Sequence, residues 1–367
     1  MNNNNTNIPA VSVSTMVSEL GELYVSAINS GMALKAIPSV FLWGAPGVGK
    51  SDGVRQMADR ISAGTGKTVK VIDIRLLLFS PIDLRGVPMA DESREFTRWL
   101  RPKLFDLDSS EDTINILFLD ELSAAPQSIQ AAAYQITLDR TVGEHKLPDN
   151  TIVMAAGNRT TDRSVAFRIP NALANRMMHF QIDVDFASWR SWAIRNKIHP
   201  LIIGYLSFDH SKLYCEPTES GIVAYPTPRT WAFLSNLLYS GKVDENSRIP
   251  SGMHMIIAGC VGYAEAVEFE GWCNVYRGLP SAEDICKGRK ADYPRKPDAL
   301  YALVSLLVRY ASENRMSRQE IENLCKYAER FPADFQTVLY KDLLEIPDVA
   351  KKLAVIPYFR TWMSKQK

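Results

Sequence analysis

Short, almost continuously apolar runs alternate with amphipathic stretches over the first half of the chain. Runs of this kind are typical of strands that are buried on both faces, and their alternation with helical stretches favours a parallel sheet covered by helices. An amphipathic stretch at 13–35 precedes the first run. The sequence therefore predicts an α/β core with five parallel strands, at 40–43, 69–74, 114–119, 152–156 and 179–184.

Beyond residue 186 the apolar runs give way to helical periodicity. Apolar residues recur there every three or four positions, which is the spacing of one face of a helix. Proline-rich and charged segments such as 289–297 separate some of these stretches. The second half of the chain is therefore predicted to be helical, with helices at 189–194, 231–239, 253–269, 300–310 and 318–327.

The loop after the first predicted strand carries the clearest chemical signal in the chain. It matches the pattern G-x-x-x-x-G-K-[ST] at every fixed position, and apolar residues at helical spacing follow it. In a strand–loop–helix context, the backbone N–H groups of such a loop cradle phosphates, the lysine reaches the β- and γ-phosphates, and the hydroxyl holds Mg²⁺. The sequence thus predicts a site for a nucleoside triphosphate with Mg²⁺, formed by Gly44, Ala45, Pro46, Gly47, Val48, Gly49, Lys50 and Ser51.

Two further predicted strands end in polar residues that suit the same chemistry. Asp120 closes the third strand, where its carboxylate can hold Mg²⁺ together with Ser51, and Glu121 can act as a base toward water. Asn158 follows the fourth strand, where its amide can orient that water. The alternatives are an acidic pair that begins a helix and an ordinary turn asparagine. Because both positions follow apolar strands downstream of a phosphate loop, we favour the functional interpretation.

The composition argues against several classes of protein, among them zinc-binding, disulfide-bonded, membrane-spanning and secreted proteins. The chain has 367 residues, a net charge of +1 and five cysteines. The cysteines form no C-x-x-C pair, which argues against a zinc site or a disulfide framework, and the histidines show no metal-ligand spacing. No apolar run approaches the roughly 20 residues that span a bilayer, and the asparagine-rich start lacks the features of a signal peptide. We therefore expect a soluble, cytoplasmic protein.

In the order of these motifs, residues 39–238 resemble an AAA+ ATPase and, within that superfamily, its MoxR-type branch. Residues 44–51 correspond to Walker A, residues 117–121 to Walker B, and Asn158 to the sensor 1 residue. The segment 80–86 is similar to the one that follows the second strand in the family. The resemblance implies ATP and Mg²⁺ as cofactors.

The resemblance also assigns roles to two arginines. Arg176 ends a P-N-A-L-A-N-R run that matches the family's arginine finger, which acts on the nucleotide of a neighbouring subunit. Arg163 and Arg168 lie nearby and are alternative candidates for the finger. Arg229 follows a Thr-Pro pair and matches sensor 2 at the start of a lid helix. The catalytic residues implied by the resemblance are Glu121, Asn158, Arg176 and Arg229.

Two insertions also fit the MoxR-type branch, one at 86–108 and one hairpin at 141–148. The first contains Trp99, which either faces a ring pore or anchors the insertion on its own domain. By resemblance, the strand order of the sheet is 5-1-4-3-2. The implied organisation is a flexible tail at 1–12, an AAA+ nucleotide-binding domain at 13–185, a helical lid at 186–250 and a C-terminal helical extension at 251–367.

The resemblance implies an ATP-hydrolysing homo-oligomer, a hexameric ring, that remodels or activates a client protein through nucleotide-driven lid motion. MoxR-type clients often carry a von Willebrand factor A domain. The alternative is a nucleic-acid-associated motor or a clamp-loader-like subunit, although the near-neutral charge counts against it. Residues 162–164 are similar to McrB-type GTPases, which leaves ATP and GTP both open. A scaffold that binds nucleotide without turnover is a third option, and Glu121 speaks against it.

Overall fold

The computed structural model describes residues 8–159, 174–217, 221–241, 243, 249–250, 252–276 and 278–365. The chain divides into two compact units, with the boundary between Asp185 and Phe186. The first unit contains a parallel sheet with helices, and the second unit is helical.

The central strands of the first unit are buried along nearly their whole length. This holds for the third and fourth predicted strands, as expected where helices cover both faces of a parallel sheet. In chain order, the described strands are β1 Ala10–Val11, β2 Val40–Trp43, β3 Thr68–Arg75, β4 Val87–Ala90, β5 Thr97–Leu100, β6 Thr113–Asp120, β7 Thr141–Val142, β8 His145–Lys146, β9 Thr151–Gly157 and β10 Met178–Ile182.

Six of these strands form one parallel sheet in the order β1-β10-β2-β9-β6-β3. For the five predicted strands this order is 5-1-4-3-2. The predicted α/β phosphate-loop core with a helical C-terminal part is therefore confirmed.

The sixth strand is β1, in a segment that the sequence analysis assigned to a flexible tail. It pairs with the outer edge of β10. The Gln181 N–H donates to Pro9 O at 2.9 Å, and the Asp183 N–H donates to Val11 O at 3.0 Å. These bonds satisfy backbone groups that would otherwise be left at the edge of the sheet.

Amphipathic helices accompany this sheet. The first of them begins at its N-cap Ser12, whose side chain accepts a hydrogen bond from Thr15 N–H, and it buries Met16, Leu20 and Tyr24 on one face. The described helices of the first unit are α1 Val13–Asn29, α2 Lys50–Thr65, α3 Pro81–Arg85 and α4 Gln127–Tyr134, with 3-10 turns at Leu34–Ala36, Leu76–Leu78 and Lys103–Phe105 and a π-helical turn at Gln135–Asp139.

Two antiparallel hairpins lie within the predicted insertions, β4 with β5 and β7 with β8. Hydrogen bonds join them to each other. The Trp99 N–H donates to Glu144 Oε1 at 2.9 Å, and His145 Nε2 lies 2.8 Å from Trp99 O. Because both bonds use the backbone of Trp99, this residue ties the first hairpin to the second.

In its described residues, the second unit is built of helices. Its described helices are α5 Phe186–Arg195, α6 Pro200–Phe208, α7 Pro228–Ser240, α8 Met253–Val261, α9 Tyr263–Tyr276, α10 Ala282–Cys286, α11 Pro297–Glu313, α12 Arg318–Ala328, α13 Ala333–Leu344, α14 Pro347–Leu353 and α15 Pro357–Lys365, with a 3-10 turn at His210–Leu213.

The single helix predicted over 253–269 is wrong, because the structure has two helices there, α8 and α9. Gly262 between them has a φ of +94°. A Cβ at this position would also lie 3.0 Å from Ala224 O. Glycine adopts such a backbone at no steric cost and ends the first helix.

Helices from both sides of residue 250 pack together in this unit, among them α6 and α11. An aromatic cluster lies in its core, in which the ring centroids of Tyr205 and Phe269 are 5.5 Å apart and those of Trp231 and Phe269 are 5.8 Å apart. The predicted lid and the predicted C-terminal extension thus share one compact unit. No helix in the described part of the chain has both the length and the apolar character needed to cross a bilayer.

Candidate functional site

The loop between β2 and α2 uses backbone conformations that glycine adopts most easily. Gly47 has a φ of +80° and Gly49 a φ of +102°, both in the left-handed region. Gly49 is the N-cap of α2, and no side chain bonds to that cap. The N-terminus of a helix directs N–H groups and the positive end of the helix dipole toward such a position. This loop is therefore suited to hold an anion.

Lys50, the first residue of α2, is buried, with 8% of its surface exposed. Its Nζ donates to Gly44 O at 2.5 Å, to Ala45 O at 3.0 Å and to Asn158 Oδ1 at 3.2 Å. A buried ammonium group needs such partners, because its removal from water is otherwise costly. These contacts fix the cation between the loop and the residue that follows β9.

Ser51 lies beside the carboxylate that ends β6. Its Oγ donates to Asp120 Oδ2 at 2.9 Å, and the Glu121 N–H donates to Asp120 Oδ1 at 2.9 Å. Hydroxyl and carboxylate oxygens suit Mg²⁺, which commonly takes one or two carboxylates and completes its shell with water and phosphate oxygens. In the described ranges, no three His, Cys, Asp or Glu side chains converge to hold a metal. A Mg²⁺ ion held by Ser51 and Asp120 would complete its shell with water and phosphate oxygens.

Glu121 has an unusual backbone conformation for a residue with a side chain, with a φ of +62°. Its carbonyl accepts from Ala125 N–H at 3.2 Å, and the next residue, Leu122, donates its N–H to Ala156 O at 2.8 Å. Strained residues of this kind cost about 1–3 kcal/mol and cluster at functional sites. The following helix begins only at Gln127. The alternative in which the acidic pair starts a helix is therefore disfavoured.

Asn158 is locked to the segment that follows β6. Its backbone N–H donates to Ser123 Oγ at 2.9 Å, and the Ser123 hydroxyl donates back to Asn158 O at 2.9 Å. A Cβ at Gly157 would lie 2.6 Å from Ser123 Oγ, so this close approach requires glycine. Sequence reasoning missed Ser123, because only the pairing of β6 with β9 brings it to a partner 35 residues away.

A second carboxylate that sequence reasoning missed lies in β3, next to β6. Asp73 pairs with Arg55 of α2, whose guanidinium nitrogen is 3.1 Å from Asp73 Oδ2. Burial and the nearby charge of Asp120 raise the pKa of Asp73, whereas Arg55 and Arg75 act in the opposite direction. Asp73 therefore lies close enough to Asp120 to feel its charge, and the pair with Arg55 partly balances that acidity.

The arginines with predicted catalytic roles are distant in sequence from the hydrogen-bonded residues of the phosphate loop and the strand ends. Arg176 is exposed in the turn before β10, and Arg229 is exposed in the first turn of α7 in the second unit. Arg163, Arg168 and residues 170–173 lie outside the described residues. The roles of the arginines stay predictions. The predicted residues that the structure links by hydrogen bonds are Gly44, Ala45, Lys50, Ser51, Asp120, Glu121 and Asn158.

No protein-family model matches the sequence, and no curated protein matches it either. Solved structures that are similar to the chain include a RuvB mutant from Thermotoga maritima, with 13% identity over 76% of this chain and 79% of that one and a TM-score of 0.38. PCH-2 from C. elegans has 12% identity over 94% and 70%, with a TM-score of 0.34. NtrX from Brucella abortus in complex with ATP has 12% identity over 93% and 69%, with a TM-score of 0.33. At so low a likeness, the ligand of this chain has to be inferred from its own residues.

Proposed function

We propose that this chain is a Mg²⁺-dependent ATPase of the AAA+ superfamily that works as a ring and remodels a partner protein. The convergence of separate motifs carries the proposal. Lys50 bonds to Asn158 at 3.2 Å across 108 residues of sequence, and Ser51 bonds to Asp120 at 2.9 Å across 69 residues. If the glycine-rich loop had no function, there would be no physical reason for these groups to meet at one edge of the sheet.

The chain's own groups account for the binding of a triphosphate. The loop N–H groups, the N-terminus of α2 and the Lys50 ammonium supply positive charge and donors to the phosphate oxygens. Ser51 Oγ and the Asp120 carboxylate would be the protein ligands of Mg²⁺. The ion, when bound, supplies charge stabilisation at the phosphates.

Hydrolysis needs a base and an oriented water molecule. Glu121 would accept a proton from water as the water oxygen forms a bond to the γ-phosphorus, and the bond from that phosphorus to the ADP oxygen breaks. The side-chain amide of Asn158 would orient this water. The left-handed backbone of Glu121, held by the bond from its N–H to Asp120 Oδ1, supports this role, because strained backbone of this kind clusters at functional sites.

A ring follows from the proposed role of Arg176. Its exposed side chain is available to the nucleotide of a neighbouring subunit. In GTPases, an arginine supplied in this way is worth about 10³–10⁵ in turnover. A homo-oligomer, hexameric as in the AAA+ pattern, would then be the active species. Arg229 would report the nucleotide state from the helical unit.

The hairpin of β4 and β5 favours a protein client over the alternative of a nucleic acid. Phe96 is 70% exposed, and Val87 and Met89 are about half exposed. Between residues 91 and 98, three carboxylates outnumber two guanidinium groups. A nucleic-acid strand needs a cationic surface, whereas an unfolded or mobile polypeptide can use exposed apolar side chains. A client with a von Willebrand factor A domain is the partner that the MoxR-type resemblance favours.

Turnover per subunit, measured across a wide range of protein concentration, tests this proposal. We expect a steep rise with concentration for the wild type and loss of turnover in Arg176→Ala with nucleotide binding intact. Arg98→Ala, at an exposed arginine in the same unit, serves as the matched control and should behave as wild type. Measurable turnover that does not depend on concentration in a sample shown by sizing to be monomeric contradicts the ring. The same assay with GTP decides which base is preferred.

A further inference from the structure

Two side chains that the proposed chemistry does not use connect β2 with the turn before β10. The Trp43 indole Nε1 lies 3.0 Å from His179 Nδ1, and His179 Nε2 lies 2.6 Å from Ala174 O. An indole N–H can only donate, so His179 Nδ1 accepts and its proton is on Nε2. The neutral imidazole therefore donates to Ala174 O. The result is a directed chain of hydrogen bonds from Trp43 through His179 to Ala174.

Each end of this chain lies at a proposed functional element. Trp43 is the last residue of β2 and directly precedes Gly44. At the other end, the Ala174 carbonyl also accepts from Met177 N–H at 3.2 Å, which closes the turn that carries the exposed Arg176. The His179 bond thus ties this turn to β2 through a side chain, in addition to the apolar packing of Met177 in the cluster that contains Phe41.

Ring packing holds the link in place. The buried ring of Phe41 is 4.2 Å from that of Trp43 and 5.8 Å from that of His179, between centroids. The Trp43 and His179 rings are stacked at 6.1 Å. Strands β2 and β10 are direct neighbours in the sheet, with Phe41 in register with His179. Because the rings are held by a buried strand, the Ala174 carbonyl is held with them.

We propose that His179, anchored by Trp43, is a positioning residue that holds the turn presenting Arg176 to a neighbouring subunit. The inference rests on the proposed role of Arg176 as a finger acting between subunits. It assigns a role to a histidine for which the sequence offers no metal-ligand or catalytic spacing. A damaged link would leave the nucleotide site of the same subunit intact and would disable the site of its neighbour.

Mixed rings test this assignment with the full-length chain. His179→Phe keeps an aromatic side chain but loses both hydrogen bonds of the imidazole. Trp43→Phe keeps an aromatic side chain but loses the indole N–H. The readouts are binding of a fluorescent ATP analogue and ATP turnover at saturating ATP. For His179→Phe we expect unchanged analogue affinity and a loss of turnover of about tenfold, the equivalent of one hydrogen bond of about 1.4 kcal/mol. His179→Gln, whose amide can accept and donate, should recover part of the loss.

Mixing with Lys50→Ala subunits separates a finger defect from a local defect. Lys50→Ala subunits lack a nucleotide site but retain the finger turn. In mixed rings their intact finger turn should act on the nucleotide of a neighbouring His179→Phe subunit. The turnover of the mixture should therefore exceed the turnover of either variant alone. A mixture that is no more active than its components, although Arg176→Ala recovers in the same mixture, overturns the positioning role.

The Arg176→Ala mixture also isolates the proposed function. If Arg176→Ala has wild-type turnover, the finger assignment fails. If it loses turnover but does not recover in the mixture, action between subunits fails, whatever His179→Phe does. Should His179→Phe not fold, Trp43→Phe carries the same test, and wild-type turnover in both Trp43→Phe and His179→Gln would then contradict the link.

Discussion

Both units of this protein bury charged side chains, but they bury them in different surroundings. In the first unit, Lys50 bonds to loop carbonyls and to Asn158, at the ends of parallel strands and beside a helix N-terminus. In the second unit, Arg190 of α5 bonds to Asp342 of α13, with its Nε 2.9 Å from Asp342 Oδ1, and also donates to Ser207. Both members of that pair are at most 8% exposed.

The difference lies in the groups that surround each cation. Arg190 bonds to the Asp342 carboxylate and to the Ser207 hydroxyl, so its charge is neutralised within the protein. Lys50 lies beside the glycine-rich loop and the N-terminus of α2, where the loop N–H groups and the helix dipole add to its positive charge. Burial of charge alone therefore does not indicate a site. A buried ammonium group next to a glycine-rich loop and a helix N-terminus does.

The largest effect that sharpens this comparison is expected at Glu121. Glu121→Gln keeps the size of the side chain but removes the base, so turnover should fall by about 10²–10⁴-fold. Nucleotide affinity should stay near that of the wild type. Steady-state turnover and titration with a fluorescent ATP analogue measure both.

Glu19→Gln, at an exposed position on α1, is the matched control and should keep full turnover. If Glu121→Gln hydrolysed ATP at the rate of this control, Glu121 would not be the base.

Removal of one partner of the buried ion pair should affect stability instead of chemistry. Asp342→Ala leaves the Arg190 guanidinium buried without a countercharge, which should cost about 3–5 kcal/mol of unfolding free energy. Hydrogen exchange with mass spectrometry should show this loss in the second unit, while nucleotide binding by the first unit persists.

Two variants calibrate the ion-pair prediction. Glu345→Ala removes a surface pair with Arg195 and should cost at most about 1 kcal/mol. The double variant Arg190→Met with Asp342→Leu should recover most of the stability, because apolar residues can replace a buried pair. A severe loss of nucleotide binding in a folded Asp342→Ala protein would contradict the separation of roles.

A smaller effect is expected at Ser123, which serves both stability and the site. Ser123→Ala leaves the Asn158 N–H without its buried partner, at a cost of about 1–3 kcal/mol. Since the same hydroxyl holds Asn158 in place, turnover should fall as well. Ser93→Ala, on the exposed hairpin, should change neither quantity. Thermal unfolding and turnover of the two variants test whether Ser123 serves both stability and the site. Unchanged turnover in Ser123→Ala would show that Ser123 does not contribute to the site.

The sequence predicts those features whose chemistry is local. The phosphate loop, Asp120 and Asn158 each follow an apolar strand, and the strand order came from the family resemblance. The missed residues depend on which strands are neighbours: Ser123 acts through the pairing of β6 with β9, and His179 acts through that of β10 with β2. No local pattern marks such residues.

Two features of the backbone, the strand β1 and the helix break at Gly262, were also not predicted from the sequence. Residues Ala10–Val11 form a strand only because the edge of β10 offers partners, and the two residues carry no periodicity of their own. The break at Gly262 depends on the approach of the Ala224 carbonyl, from a segment distant in sequence. In the helical unit, periodicity predicted helices at 189–194, 231–239, 300–310 and 318–327, but it did not predict α6 or the helices after α12. Which helices pack together is a matter of shape and not of local pattern.

The most direct test of the central claim is calorimetric titration of the full-length chain with a non-hydrolysable ATP analogue and Mg²⁺. We predict about one nucleotide bound per chain for the wild type, and no binding to a folded Lys50→Ala variant. Lys35→Ala, at an exposed lysine that pairs with the exposed carboxylate of Asp149, should bind as the wild type does. Wild-type affinity in Lys50→Ala would contradict the claim that the Lys50 ammonium at the phosphate loop holds the nucleotide.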